Sequence, residues 1–180
     1  MRRRRAGGTR PVEAVEAVYD ALAPAVLGYF RAHRMADPEG LTGDVFVSVA
    51  RRLREFEGDD AALRRWVFTI AHHRRVDEIR RGSRSPALVP LDGTVEVRSS
   101  LPAHGPVDPD LVAALATLTD DQRQVVLLRH VADLSVADVA EITGRSPGAV
   151  KMLTARAIDS LARQLAPSPD IDVELPAPRP

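Results

Sequence analysis

Between Leu63 and Arg84 seven arginines stand against only two acids, Asp77 and Glu78. A guanidinium is a permanent cation with a planar fork of donors, suited to phosphate oxygens and to guanine edges. Arg74, Arg75, Arg80 and Arg81 are therefore candidate phosphate contacts. On a helix, Arg74 and Arg81 lie seven residues apart on one face, with Asp77 and Arg80 within its breadth. The pair His72–His73 is a poor metal site, because adjacent side chains on a helix diverge by about 100°; no metal is expected. A plainly solvated basic face is the alternative reading of this stretch. Trp66 could stack a base, but it shares an apolar stripe with Leu63, Val67 and Ile70 and is read as core.

A second group follows a different logic. From Thr119 the chain reads TDDQRQVVLLRHVADLSVADVAEITGRSPGAVKMLTARAIDSLARQL. Thr119 and Gln122 have capping-box spacing, and Asp120 and Asp121 suit a first helical turn. Ser135 begins a short helix that buries Val136, Val139, Ala140 and Ile142. Gly144 supplies the left-handed position that stops it. Ser146–Pro147 restarts a helix, with serine as cap and proline in the first position. Short helix, glycine turn, longer helix is the spacing of a helix-turn-helix, whose second helix enters the major groove. The side chains placed to meet DNA are Arg145, Ser146, Gly148, Ala149, Lys151, Met152, Thr154 and Arg156. Gly148 and Ala149 permit close approach. Lys151 and Arg156 reach phosphate or guanine, and Met152 or Thr154 can touch a thymine methyl. A helical bundle with a solvated face is the alternative.

The elements that carry these residues are helical. Residues 12–33 repeat Val15, Val18, Tyr19, Leu22, Val26, Tyr29 and Phe30 at helical spacing, with Pro24 as a kink or break. Residues 41–56 do so with Leu41, Val45, Phe46, Val49, Leu53 and Phe56, and residues 60–81 end at Gly82. Nothing alternates cleanly at period two. The fold class is all-α: two small helical bundles joined by a flexible linker, the C-terminal one with the helix-turn-helix. Bundles of about 70 and 60 residues sit near the lower limit for independent cores. Residues 84–107 hold prolines, glycines and serines without a sustained helical period and read as the linker. Residues 1–11 read as a disordered basic arm, and 167–180, with five prolines, as a disordered tail.

Composition narrows the class. The 180 residues carry 25 Lys+Arg, 25 Asp+Glu and no cysteine, which excludes disulfides and cysteine-ligated metals. No apolar run approaches the roughly 18–20 residues of a membrane span. The start, MRRRRAGGTR, has no apolar stretch behind its charge and is not read as a secretory signal; a cytoplasmic protein is expected. Of the 25 basic residues all but Lys151 are arginine. Zero net charge argues superficially against nucleic acid, but the charge is segregated. Residues 1–10 hold five arginines and no acid, while the two bundles are net −1 and −2. Such a chain should bind naked DNA poorly and rely on a larger partner to present it. No Gly-rich phosphate loop, metal triad or nucleophile–base pair is evident, so neither enzymatic activity nor a cofactor is expected.

Taken together, these motifs resemble those of bacterial RNA polymerase sigma factors of the extracytoplasmic-function (group IV) type in the sigma-70 family. Leu115–Thr119, Asp121-Gln122-Arg123 and VVLLRHVADLSVADVAEITGRSPGAVK resemble the −35 domain. ADPEGLTGDVF (Ala36–Phe46) resembles the polymerase-binding helix, and LRRWVFTIAHHRRVDEIRR (Leu63–Arg81) the helix that opens and reads the −10 element. The resemblance covers residues 14–83 and 108–165 in the family's order. It implies a region 2 domain over 12–83, which binds core polymerase and the −10 element, and a region 4 helix-turn-helix domain over 108–166 for the −35 element. It further implies −10 contacts from His73, Arg74, Arg75, Asp77, Arg80 and Arg81, and polymerase contacts from Glu39, Leu41, Thr42, Asp44, Val45 and Phe46. Implied partners are core RNA polymerase, promoter DNA and an anti-sigma factor. The chain departs from the family pattern at Gly43, where Gln is usual, and at His72 and His73, where Arg and Asn are usual. The competing reading is a stand-alone helix-turn-helix regulator whose N-terminal bundle is a dimerisation or sensor module; a helical interaction protein without DNA binding is a third.

Overall fold

The structure is a computed structural model that describes residues 11–82 and 109–166. The arm before Pro11, the linker 84–107 and the tail 167–180 lie outside the described residues. Among those described there are seven α-helices and no strand: α1 Pro11–Ala32, α2 Pro38–Arg52, α3 Asp60–Gly82, α4 Pro109–Thr117, α5 Asp120–His130, α6 Val136–Thr143 and α7 Pro147–Leu165. A single 3-10 turn, Leu53–Glu55, follows α2.

Helices α1, α2 and α3 form the first bundle. The α1 stripe Leu22, Val26, Tyr29 and Phe30 is buried against Leu41, Val45, Phe46 and Val49 of α2 and Val67, Phe68 and Ala71 of α3. Each such side chain contributes roughly 1.5–3 kcal/mol by leaving water. Helix α1 runs through Pro24 rather than stopping there. It ends where Arg34 adopts φ 56°, with the Met35 amide donating back to Phe30 O at 3.2 Å; this left-handed stop has no glycine to announce it. Helix α2 starts as its sequence dictates: Asp37 accepts from the Gly40 amide at 2.8 Å, and Pro38 takes the first turn.

The second bundle is α4–α7. Thr119 and Gln122 form the expected capping box on α5, and Ser135 and Asp138 form another on α6. Gly144 has φ 66°, and Ser146 caps α7 by accepting from the Ala149 amide at 3.2 Å. Arg123 holds α4 to α5: its guanidinium donates to the carbonyls of Leu115 at 2.8 Å, Ala116 at 3.0 Å and Leu118 at 2.9 Å. Val125, Leu128, Val139, Val150 and Ala157 close the core.

The two bundles touch. Their buried residues form one continuous apolar cluster, with α1 against α4 and α5, and α3 against α6. Gly28 of α1 faces Val131, whose Cγ1 would lie 4.0 Å from a β-carbon there.

Candidate nucleic-acid interface

The turn between α6 and α7 aims α7. With Val150 and Ala157 buried and Leu153 and Leu161 half-buried, the opposite face presents Gly148, Lys151, Met152, Ala155 and Arg156, all exposed at spacings of three and four. That face offers two cations, one flexible apolar side chain and two positions small enough for close backbone approach. Ser146 is exposed but spends its hydroxyl on the cap. Thr154 is turned aside: it is half-buried and donates its hydroxyl to Val150 O at 2.8 Å. Ala149 is half-buried too. Arg145, half-buried, pairs with Asp121 at 2.5 Å.

Helix α3 divides the four arginines of its second half among three surroundings. His73, Asp77, Arg80 and Arg81 are exposed and share one face, with Arg81 donating to Glu78 at 2.7 Å. Arg74 reaches across to α2, donating to Ser48 Oγ at 3.1 Å and standing 3.7 Å from Asp44. Arg75 points the other way. It is buried and donates to the Asp120 carboxylate at the start of α5, so in this arrangement it cannot serve as the expected surface cation. Trp66 is half-buried and stacks on Phe56 with ring centroids 5.2 Å apart, as a core-edge residue does. His72 is not a solvated neighbour of His73: its Nδ1 lies 2.8 Å from Gln124 Nε2 in the other bundle.

Around Arg75 the surroundings are polar and buried. The His33 side chain is fully buried, 3.8 Å from Asp120, with its ring edge-on to Tyr29 at 4.6 Å between centroids. Burial, with help from Arg75, lowers His33 from its ordinary value to about 3. Burial and then the neighbouring His73 and Arg75 lower His72 to about 4. Burial likewise pushes the Tyr29 hydroxyl above its ordinary range. Desolvation on its own would raise Asp120, but the hydrogen bond and charge of Arg75 outweigh it and hold the carboxylate below its ordinary value. The Tyr29 hydroxyl, both His33 ring nitrogens and Arg75 Nε have no hydrogen-bond partner among the described residues.

On α2, four of the six expected polymerase contacts face inward. Leu41, Thr42, Val45 and Phe46 are buried, and Thr42 donates its hydroxyl to Pro38 O at 2.7 Å. Their side chains form the bundle's own core. Left outside are Glu39, which accepts from Arg31 at 2.6 Å, and Asp44. Val47, 50% exposed, joins them and escaped the sequence reading because an isolated valine carries no motif. Gly43 is exposed, with nothing within 4 Å of where a β-carbon would stand. Among the described residues no group of three His, Cys, Asp or Glu could hold a metal, and no helix is long and apolar enough to cross a membrane.

Comparisons with known proteins agree with this layout. Residues 17–85 match the family model for sigma-70 region 2, and residues 110–161 that for sigma-70 region 4. The chain is 30% identical over 166 residues to the ECF RNA polymerase sigma factor ShbA of Streptomyces griseus, covering 81% of this chain and 86% of that one. It is also 30% identical over 150 residues to the ECF RNA polymerase sigma factor BldN of Streptomyces coelicolor, covering 76% of this chain but only 54% of BldN; it thus spans about half of BldN's length. In fold it is similar to the sigma factor RpoE of Bartonella quintana, solved in complex with the anti-sigma factor NepR, with a TM-score of 0.62, 23% identity, and coverage of 85% of this chain and 97% of that one. The chain belongs to the extracytoplasmic-function RNA polymerase sigma factors of the sigma-70 family, which are transcription initiation factors.

Proposed function

We propose that residues 12–83 and 108–166 act as region 2 and region 4 domains that bring core RNA polymerase to a promoter, without catalysis and in the cytoplasm. The observation that carries this is the exposed face of α7, set by Gly144 and the Ser146–Pro147 restart, in a chain that also carries a region 2 segment. Helix α7 enters the −35 major groove. Lys151 and Arg156 hold phosphate or guanine, Met152 lies against a thymine methyl, and Gly148 and Ala149 allow the close fit. Ser146, Thr154 and Arg145 shape the helix start and its flank, Arg145 adding a phosphate contact when released from Asp121. In region 2, His73, Asp77, Arg80 and Arg81 face the −10 element, with Arg74 at the edge and Arg75 joining once the bundles separate. Exposed arginines hold phosphates, while His73 and Asp77 hydrogen-bond an unstacked base.

Polymerase binds α2 through Glu39, Asp44 and Val47, which are exposed or half-exposed, while Leu41, Thr42, Val45 and Phe46 keep that helix in register from inside. An anti-sigma factor is a further partner, as RpoE has in NepR. The test is run-off transcription with purified core polymerase and promoter templates. A promoter-specific start that fails when Lys151 and Arg156 are both alanine supports the reading. No specific start, together with a shift of duplex DNA by the protein alone, would favour the stand-alone regulator.

A further inference from the structure

Beside the ion pairs of Arg65 with Asp138 and Glu141, the contact between the bundles holds a cluster of charged and titratable groups, of which His73 and Arg75 are also −10 candidates. From α1 come Tyr29 and His33, and from α3 come His72, with His73 beside it, and Arg75. From α5 come Asp120, Arg123 and Gln124. Asp120 pairs with Arg75 and stands 3.8 Å from His33, while Arg123 and His72 bring one more cation and one more ring that can become one. Arg75 keeps only 4% of its side chain exposed. The His33 ring has no solvent access at all, and neither of its nitrogens is paired within the described protein. His72 spends its Nδ1 on Gln124 across the interface. Such a site is tolerable only while both imidazoles are neutral, because a proton on either adds a buried positive charge beside Arg75. Separating the bundles returns these groups to water.

We propose that Arg75–Asp120 and the histidines His33 and His72 form a proton-released latch, closed when both rings are neutral and opened when they take up protons. Closed, it holds region 4 on region 2 and keeps Arg75 from solvent. Protonated, it lets the bundles part and Arg75 reach other anions. The proposal stands on the interface geometry and does not depend on which DNA element either bundle reads.

The chain has no cysteine, so two introduced thiols define a clean distance pair in the full chain. Glu57→Cys and Gln164→Cys, both at exposed positions in different bundles, carry donor and acceptor dyes. Ala21→Cys with Glu57→Cys is the control within one bundle. Transfer across the bundles is expected to be high at pH 8 and to fall at pH 5.5, while the control stays constant. With an ordinary value of 6.5 when open and the lowered values when closed, each histidine shifts the opening equilibrium about tenfold at pH 5.5. His33→Phe with His72→Gln should stay closed at both pH values, and Asp120→Ala should be open at pH 8. If His33→Phe loses helical circular dichroism, His72→Gln alone carries the test and should remove about tenfold of the response. Low transfer in the parent at pH 8, a parent that does not respond to pH, or histidine variants that respond as the parent does would each overturn the latch.

Discussion

The guanidinium of Arg145, in the turn that leads into α7, lies 2.5 Å from the carboxylate of Asp121 in the first turn of α5. Half of the Asp121 side chain is exposed, so the pair contributes little to stability, about 0–1 kcal/mol. Its effect falls on binding, because the carboxylate occupies the cation nearest the start of α7. Asp121→Asn should leave unfolding within about 1 kcal/mol of the parent and tighten binding to a −35 duplex. The slope of log K against log salt should steepen by about one. Anisotropy titrations over a salt series measure it, and an unchanged slope would show that Arg145 never meets phosphate.

The φ of 66° at Gly144 sets a second expectation. Nothing stands within 4 Å of a β-carbon there, so Gly144→Ala pays only for the left-handed backbone, about 1–2 kcal/mol. Ser146→Ala, which removes the cap from the Ala149 amide, should cost about 1 kcal/mol. Urea unfolding measures both. A neutral Gly144→Ala would mean that the turn relaxes to another form.

Helix α2 gives a third. Gly43 is exposed and open, so Gly43→Ala should stabilise the chain by about 0.5–1 kcal/mol. Gly43→Gln fits the same space and places a polar side chain beside Asp44 on the partner face. Val47→Asp, at an exposed position, should leave stability nearly unchanged and weaken the complex with core polymerase. Competition against a labelled sigma factor reads both. Equal affinities for all three chains would remove this face from the interface.

Acid supplies the fourth. His33 sits near 3 when folded and near 6.5 when unfolded, so below pH 6.5 the unfolded chain binds a proton that the folded chain does not. Relative to the unfolded chain, the closed form is therefore fully stable above pH 6.5 and loses up to about 1.4 kcal/mol per pH unit on acidification, until the bundles part and His33 takes up its proton in the folded chain as well. His33→Phe should remove most of that slope in urea unfolding across pH 4–7. A slope that survives the substitution would assign it to other groups.

What the sequence made legible was local. Thr119 with Gln122, Gly144, and Ser146–Pro147 each act within one helical turn, and all three adopt the conformations that their types favour. On α7 Gly148, Lys151, Met152 and Arg156 are exposed, opposite Val150 and Ala157, whereas Ala149 and Thr154 of the expected set are half-buried. Leu41, Val45 and Phe46 were legible as core from their helical stripe, and they are buried in it. Arg75 could not have been placed this way. On α3 it is one arginine in a run, and its inward turn depends on Asp120, 45 residues along the chain. The left-handed stops at Arg34 and Asp133 were hidden for a related reason. Neither is glycine, and the packing beyond each helix end imposes the conformation.

Lys151 is the chain's sole lysine, and it stands exposed on the outward face of α7. The protein's side-chain amine chemistry is therefore confined to one position. A reagent that carbamylates or couples to lysine modifies α7 and leaves every arginine cation intact. A dye attached there reports on that helix directly, and duplex DNA that covers it should slow the coupling.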